Sequence, residues 1–260
     1  MPTSALRRVS VLVVFGTFIL TPVRAAAQDL FELEVFEYRG VSPGEYEIGL
    51  HTNAMSRGSV TPDSAAANHR PTHVSVEVTR GWTDRMETAV FVQTAPFGSA
   101  GSTRFAGGHI RGKMRLGQPT RLPLRIAVSG EYAFNRRSFD DELQTAEFRS
   151  IVDYQQGKLS VVANPSLELV TRGPGDGLQP VLDLSARAAW QLTRRVAVTS
   201  DYFSAAATTR HLQPEVTAHH LLFGGADFDL GRGWELSAGA GHCVTSSEPW
   251  MLKSIVGFRF

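Results

Sequence analysis

From about Gly44 to the last residue, Phe260, apolar side chains recur at every second position in one segment after another, and this period constrains the fold most. A period of two places apolar and polar side chains on opposite faces of an extended strand. Tyr46, Ile48 and Leu50 alternate with Glu47, Gly49 and His51, and Val74, Val76 and Val78 with Ser75, Glu77 and Thr79. Leu182, Leu184 and Ala186 alternate with Asp183, Ser185 and Arg187, and Trp234, Leu236 and Ala238 with Glu235, Ser237 and Gly239. The pattern predicts an all-β chain with strands at roughly 44–53, 71–80, 85–96, 105–116, 122–136, 142–156, 158–170, 178–191, 195–207, 216–229, 233–244 and 250–260.

The connections between these strands alternate in character. Those after the even-numbered strands are tight, as at Gly81-Trp82-Thr83-Asp84, Gln156-Gly157 and Gly231-Arg232-Gly233. Several of those after odd-numbered strands are longer and rich in Gly, Ser, Pro and Thr, notably 54–70, 97–104 and 171–177. Short turns on one rim and longer loops on the other describe an antiparallel up-and-down meander of about twelve strands.

Such a meander closes either as a soluble barrel with an apolar interior or as a membrane barrel with an apolar exterior. Periodicity does not choose between them, because both alternate. The apolar face consists largely of Leu, Val, Ile, Ala and Gly, which are small for filling so wide an interior. Trp82, Trp190 and Trp234 fall beside short turns, and Trp250 lies near the opposite rim, as in the aromatic girdle of a membrane barrel. The chain opens with Arg7 and Arg8, an apolar run from Val9 to about Leu20, and Ala25-Ala26-Ala27. That is the layout of a secretory signal peptide cleaved after Ala27, its apolar run being shorter than the roughly twenty residues of a spanning helix. These features favour a transmembrane barrel over 44–260, preceded by a signal peptide at 1–27 and a periplasmic segment at 28–43.

The terminal strand, Trp250 to Phe260, resembles the carboxy-terminal signal of bacterial outer-membrane β-barrels in ending on Phe, with Phe258 and Val256 at even steps upstream. Glu32-Leu33-Glu34-Val35, the run from Pro43 to Leu50, Asn164-Pro165 and the closing run from Gly233 to Phe260 are similar to a broad Gram-negative family near the outer-membrane channel proteins associated with phenol-degradation operons. The resemblance implies outer-membrane location, a passive channel role, and contact with periplasmic chaperones and the barrel-assembly machinery through Val256, Phe258 and Phe260.

Polar positions assigned inward give the lumen a basic wall of Arg111, Lys113, Arg115 and Arg125. An acidic wall of Asp183, Asp201, Asp227, Asp229 and Glu235 lies nearly opposite. Two such walls would set a transverse field across a pore; alternatively the charges pair across a narrow lumen and close it. The expected function is a monomeric passive channel for small solutes in outer-membrane lipid. A closed structural or adhesive barrel and a lipid hydrolase are the alternatives.

His73 and Ser75 share a strand face at the spacing of the outer-membrane phospholipases, but Val76-Glu77 stands where those enzymes have Asn-Gly, so no catalytic residues are expected. His219 and His220 point to opposite faces and make no metal site, and no cofactor is expected. A net charge of +1 disfavours nucleic acid as a partner, and the single Cys243 excludes an internal disulfide. Residues 29–39 alternate Glu32 and Glu34 with Leu33 and Val35, fitting either a periplasmic extension or an extra strand folded into the barrel mouth.

Overall fold

The computed structural model describes residues 33–55, 72–97, 102–117, 123–139, 142–173, 180–208, 220–244 and 250–260. The segment read as a signal peptide lies outside them, as does much of the longer connections.

Among the described residues, twelve strands follow one another without an intervening helix: β1 (Tyr46–Met55), β2 (Thr72–Gly81), β3 (Met86–Phe97), β4 (Ser102–Gly117), β5 (Leu124–Asn135), β6 (Gln144–Gln156), β7 (Leu159–Arg172), β8 (Val181–Gln191), β9 (Val196–Thr208), β10 (His220–Gly231), β11 (Trp234–Cys243) and β12 (Met251–Arg259). Each pairs antiparallel with its neighbours in sequence, and β12 returns to β1, so the sheet is a closed up-and-down transmembrane barrel. Closure is what lipid demands, since an open edge would leave backbone N–H and C=O groups with no partner.

The closing seam is fixed at the chain terminus. The Tyr46 N–H donates to the Phe260 carbonyl and the Phe260 N–H to the Tyr46 carbonyl, both at 2.9 Å. Their rings stack at 5.9 Å, and Phe258 bridges Phe260 at 5.6 Å and Trp234 at 4.6 Å. The register pairs Leu50 with Val256 and Glu47 with Arg259. Val256, Phe258 and Phe260 therefore share the outward face, while Lys253, Ile255, Gly257 and Arg259 look into the lumen.

The outer surface is apolar along the strands, with Val78, Val90, Ile110, Leu182, Val198 and Leu252 all exposed. Trp82, Trp190, Trp234 and Trp250 are exposed near the strand ends, and Trp82 Nε1 donates to the Thr88 hydroxyl at 2.8 Å. The inner face departs from the expectation of a polar lumen. Ile151, Val162, Phe203, Leu221, Phe223, Cys243 and Met251 all point inward and pack together, Phe203, Leu221, Phe223, Cys243 and Met251 near the long-loop strand ends and Val162 nearer the short turn before β7. Alternation predicts that one face differs from the other, but it does not forbid apolar residues on both, and here the second face carries a core of its own.

Deleting Phe260 removes both seam hydrogen bonds and a stacked ring, so the fraction of heat-modifiable, folded barrel in the membrane should fall severalfold relative to the full chain; boiled and unboiled gel migration measures it.

Candidate functional site

Residues 33–41 occupy the lumen. The expectation of a periplasmic segment at 28–43 is corrected in its described part: Leu33, Val35, Phe36 and Val41 are buried, the first three within the inward apolar cluster. This strap runs from mid-lumen to the short-turn rim, where the Gly44 N–H donates to the Gly81 carbonyl at 2.9 Å and β1 begins.

A strap inside a barrel has backbone groups that no sheet ladder satisfies, so side chains from the wall must do so. Asn164 on β7, fully buried, accepts the Phe36 N–H at 2.7 Å and donates to the Phe36 carbonyl at 3.0 Å, doing with one amide what a neighbouring strand would do. Lys113 on β4 donates to the Glu37 carbonyl at 3.2 Å and the Arg39 carbonyl at 2.8 Å, and it pairs with Glu87 at 2.7 Å. Its three ammonium protons thus have three acceptors. The other Glu87 oxygen accepts the Val41 N–H at 2.9 Å. Gly40 makes that approach possible, because a Cβ there would lie 1.9 Å from Glu87 Oε2. Lys253 on β12 donates to the Leu33 carbonyl at 3.0 Å. Phe36 lies between two guanidinium groups, with Arg111 Cζ 4.0 Å and Arg149 Cζ 4.2 Å from its ring, a cation–π arrangement on both faces.

The charged residues expected to form two walls are all on inward strand positions, and most have partners nearby. Arg111 pairs with Glu77 on β2 at 2.6 Å, and Arg125 with Asp153 on β6 at 2.8 Å. Arg115 donates to the Val41 carbonyl at 3.5 Å. On the other side Arg187 meets Asp227 at 2.7 Å and Asp201 at 3.4 Å, while Lys253 also contacts Asp201. Asp183 is half-buried on β8. Asp229 and Glu235 face one another across β10 and β11 at the short-turn rim, where Asp229 accepts the Gly231 N–H at 2.8 Å. Opposite charges therefore meet on each side of the lumen, some between adjacent strands, as Arg125 with Asp153, and others across one or two intervening strands, as Arg111 with Glu77 and Lys253 with Asp201. Glu77 and Asp153 belong to the polar face of the sequence pattern but to neither expected wall, and Glu87 is the partner that sequence reasoning missed, although its inward parity was visible.

Between the strap and the short-turn rim lies a cavity of about 800 Å³, lined by charged groups including Glu47, Arg125, Asp227, Glu235 and Arg259. Glu37 of the strap faces the lumen interior, and burial raises its carboxyl above the ordinary range; Arg187 opposes this, Asp227 and Asp153 add to it, and Arg39 opposes it.

His73 and Ser75 are both buried on the lumen side of β2, turned away from lipid. Cys243 lies inside the apolar cluster. His220 is held by the Tyr202 hydroxyl at 2.6 Å, while His219 lies outside the described residues.

A transmembrane barrel of twelve strands whose lumen is crossed by its own leading segment is the class that fold and site define. No family model and no curated protein matches the chain. Solved structures share the fold at low identity. An outer-membrane channel from Pseudomonas putida F1 aligns over 88% of this chain and 100% of its own, with a TM-score of 0.59 and 8% identity. The KdgM porin in complex with disordered oligogalacturonate aligns over 82% and 99%, at 0.56 and 7%. The outer-membrane phospholipase A from Escherichia coli aligns over 85% and 98%, at 0.50 and 8%. Channels and a hydrolase thus share one architecture, and function has to be read from the lumen.

Asn164→Ala leaves the Phe36 N–H and carbonyl without their buried partner, a cost of about 1–3 kcal/mol. Hydrogen exchange at the strap amides should accelerate accordingly, with strand amides unchanged. Because its folded pKa is raised, Glu37 favours the docked strap below the ordinary glutamate range, and that contribution is lost as pH rises through the raised value. Glu37→Gln should therefore increase strap protection at neutral pH and flatten its pH dependence in the same measurement.

Proposed function

We propose that this chain is an outer-membrane channel for small polar solutes whose conducting path is set by the strap. The observation that carries the reading is the water-accessible, charge-lined cavity of about 800 Å³ at the short-turn end, which stops at the strap. A packed structural barrel has no need of such a vestibule. The strap is held by polar contacts through Asn164, Lys113, Glu87 and Lys253 and by burial of Leu33, Val35 and Phe36. No strap residue takes part in the strand ladder, so displacement of the strap is compatible with an intact barrel.

The chain is exported by its leading signal, assembled from its terminal strand and inserted as a monomer with the short turns on the periplasmic side. The solved channels that share the fold support this reading, as does the lumen-side burial of His73 and Ser75, which denies them access to a lipid substrate. One observation favours a second reading, the closed barrel. The inward residues Phe203, Phe223, Leu221 and Met251 form one buried apolar cluster with Leu33, Val35 and Phe36 of the strap.

Planar-bilayer recording of the refolded full chain separates the two. Small conductance steps are expected from the full chain, and steps several times larger after deletion of residues 33–41. Absence of steps from both forms, with folding verified by gel migration, would establish the closed barrel. In the strap-deleted form, Arg111→Glu with Arg115→Glu should move the reversal potential toward cation preference, since both side chains then border the path.

A further inference from the structure

Three ligand-type side chains far apart in the sequence meet where the strap crosses β1 and β2. Glu34 Oε2 lies 3.8 Å from His51 Nδ1, and Glu77 Oε2 lies 3.1 Å from His51 Nε2. One ligand atom from each of the three lies within 4.8 Å of the others. In a zinc-type site the ligand atoms sit about 2.0–2.2 Å from the ion and so roughly 3.3–3.6 Å from one another. His51 Nε2 and Glu77 Oε2, at 3.1 Å, are slightly closer than that, and Glu34, carried on the strap and now beside Nδ1, has to swing toward the Nε2 edge for all three to meet one ion.

The surroundings are those a metal site requires. Glu77 is held through its other oxygen, which receives Arg111 Nη2 at 2.6 Å and the Thr79 hydroxyl, leaving Oε2 directed at the imidazole. Hydrogen bonding of the distal oxygen is how ligating carboxylates are oriented. Gly49, two residues before His51 on the same face, leaves Nε2 its room; a Cβ there would stand 3.1 Å from that nitrogen. Glu34 and Glu77 both line the cavity that opens at the short-turn end, which supplies an entry path for a hydrated ion. The two carboxylates supply the negative charge a divalent cation needs, against Arg111 beside Glu77 and the Lys253 and Arg187 cations on the Glu34 side, which are themselves paired with Asp201.

We propose that Glu34, His51 and Glu77 bind a divalent cation of the zinc class, with water in the fourth position, and that the ion ties the strap to the barrel wall. Mixed imidazole and carboxylate ligands suit Zn²⁺, Co²⁺ and Ni²⁺. The site does not depend on whether the barrel conducts. A proton on His51, shared with both carboxylates, is the competing occupant of the same space.

The test titrates Co²⁺ into the chelator-treated, refolded full chain in detergent and follows the visible bands of four-coordinate cobalt, with Zn²⁺ as competitor. One equivalent is expected to bind, to be displaced by Zn²⁺, and to slow hydrogen exchange at the strap amides. His51→Ala should abolish the bands, and Glu34→Gln should weaken binding by at least about tenfold and remove the effect on the strap; Asp84→Asn, on an exposed turn, should change nothing. Folding of each variant is checked by gel migration. Failure of the folded chain to take up one equivalent, or uptake that survives His51→Ala, overturns the site. Uptake unaltered by Glu34→Gln overturns the link to the strap.

Discussion

The pairing of β12 with β1 is the interaction on which everything else rests. A twelve-strand sheet in lipid has two edges to hide, and here they hide each other, from Glu47 against Arg259 through to Met55 against Met251. The reciprocal Tyr46 and Phe260 hydrogen bonds place the last residue opposite the first residue of β1. Once the ring is closed, the parity of every strand is set, and with it which side chains meet lipid and which meet each other inside.

Closure also creates a second problem, an interior too wide for ordinary side chains to fill and too charged to leave unpaired. The strap addresses both. Phe36 fills space between Arg111 and Arg149, and Leu33 and Val35 join the inward apolar cluster. The strap's own backbone supplies acceptors for Lys113 and Lys253, which would otherwise be desolvated with fewer partners. Barrel and strap are thus mutually dependent in charge and in packing, while the backbone ladder is independent of the strap: β1 to β12 close without any strap residue in it.

The fold was legible because alternation in a membrane strand is enforced by solvent on both sides: lipid selects Val78, Val90 and Ile110 outward, and water or charge selects Glu77, Arg111 and Asp153 inward. The inward apolar residues were less legible. Phe203 and Phe223 read as ordinary members of β-rich segments, since nothing in a local pattern distinguishes an aromatic facing a packed lumen from one facing lipid. The charges were legible by position but not by partner, because whether Arg125 meets Asp153 or an acid across the lumen depends on register between strands, which periodicity does not encode. Asn164-Pro165 stood out only as a resemblance; its physical role, satisfying the backbone of Phe36, needed a partner 128 residues away.

Sequence alone determined a closed antiparallel barrel, its strand order and the inward sidedness of the charged strand residues, because these follow from local alternation and from lipid's intolerance of an unpaired edge. Tertiary structure alone decided that residues 33–41 run inside the barrel and bring Glu34 to His51 and Glu77. That choice rests on distant side-chain donors and acceptors converging on a strap with no ladder of its own, and such convergence exists only once the ring has closed.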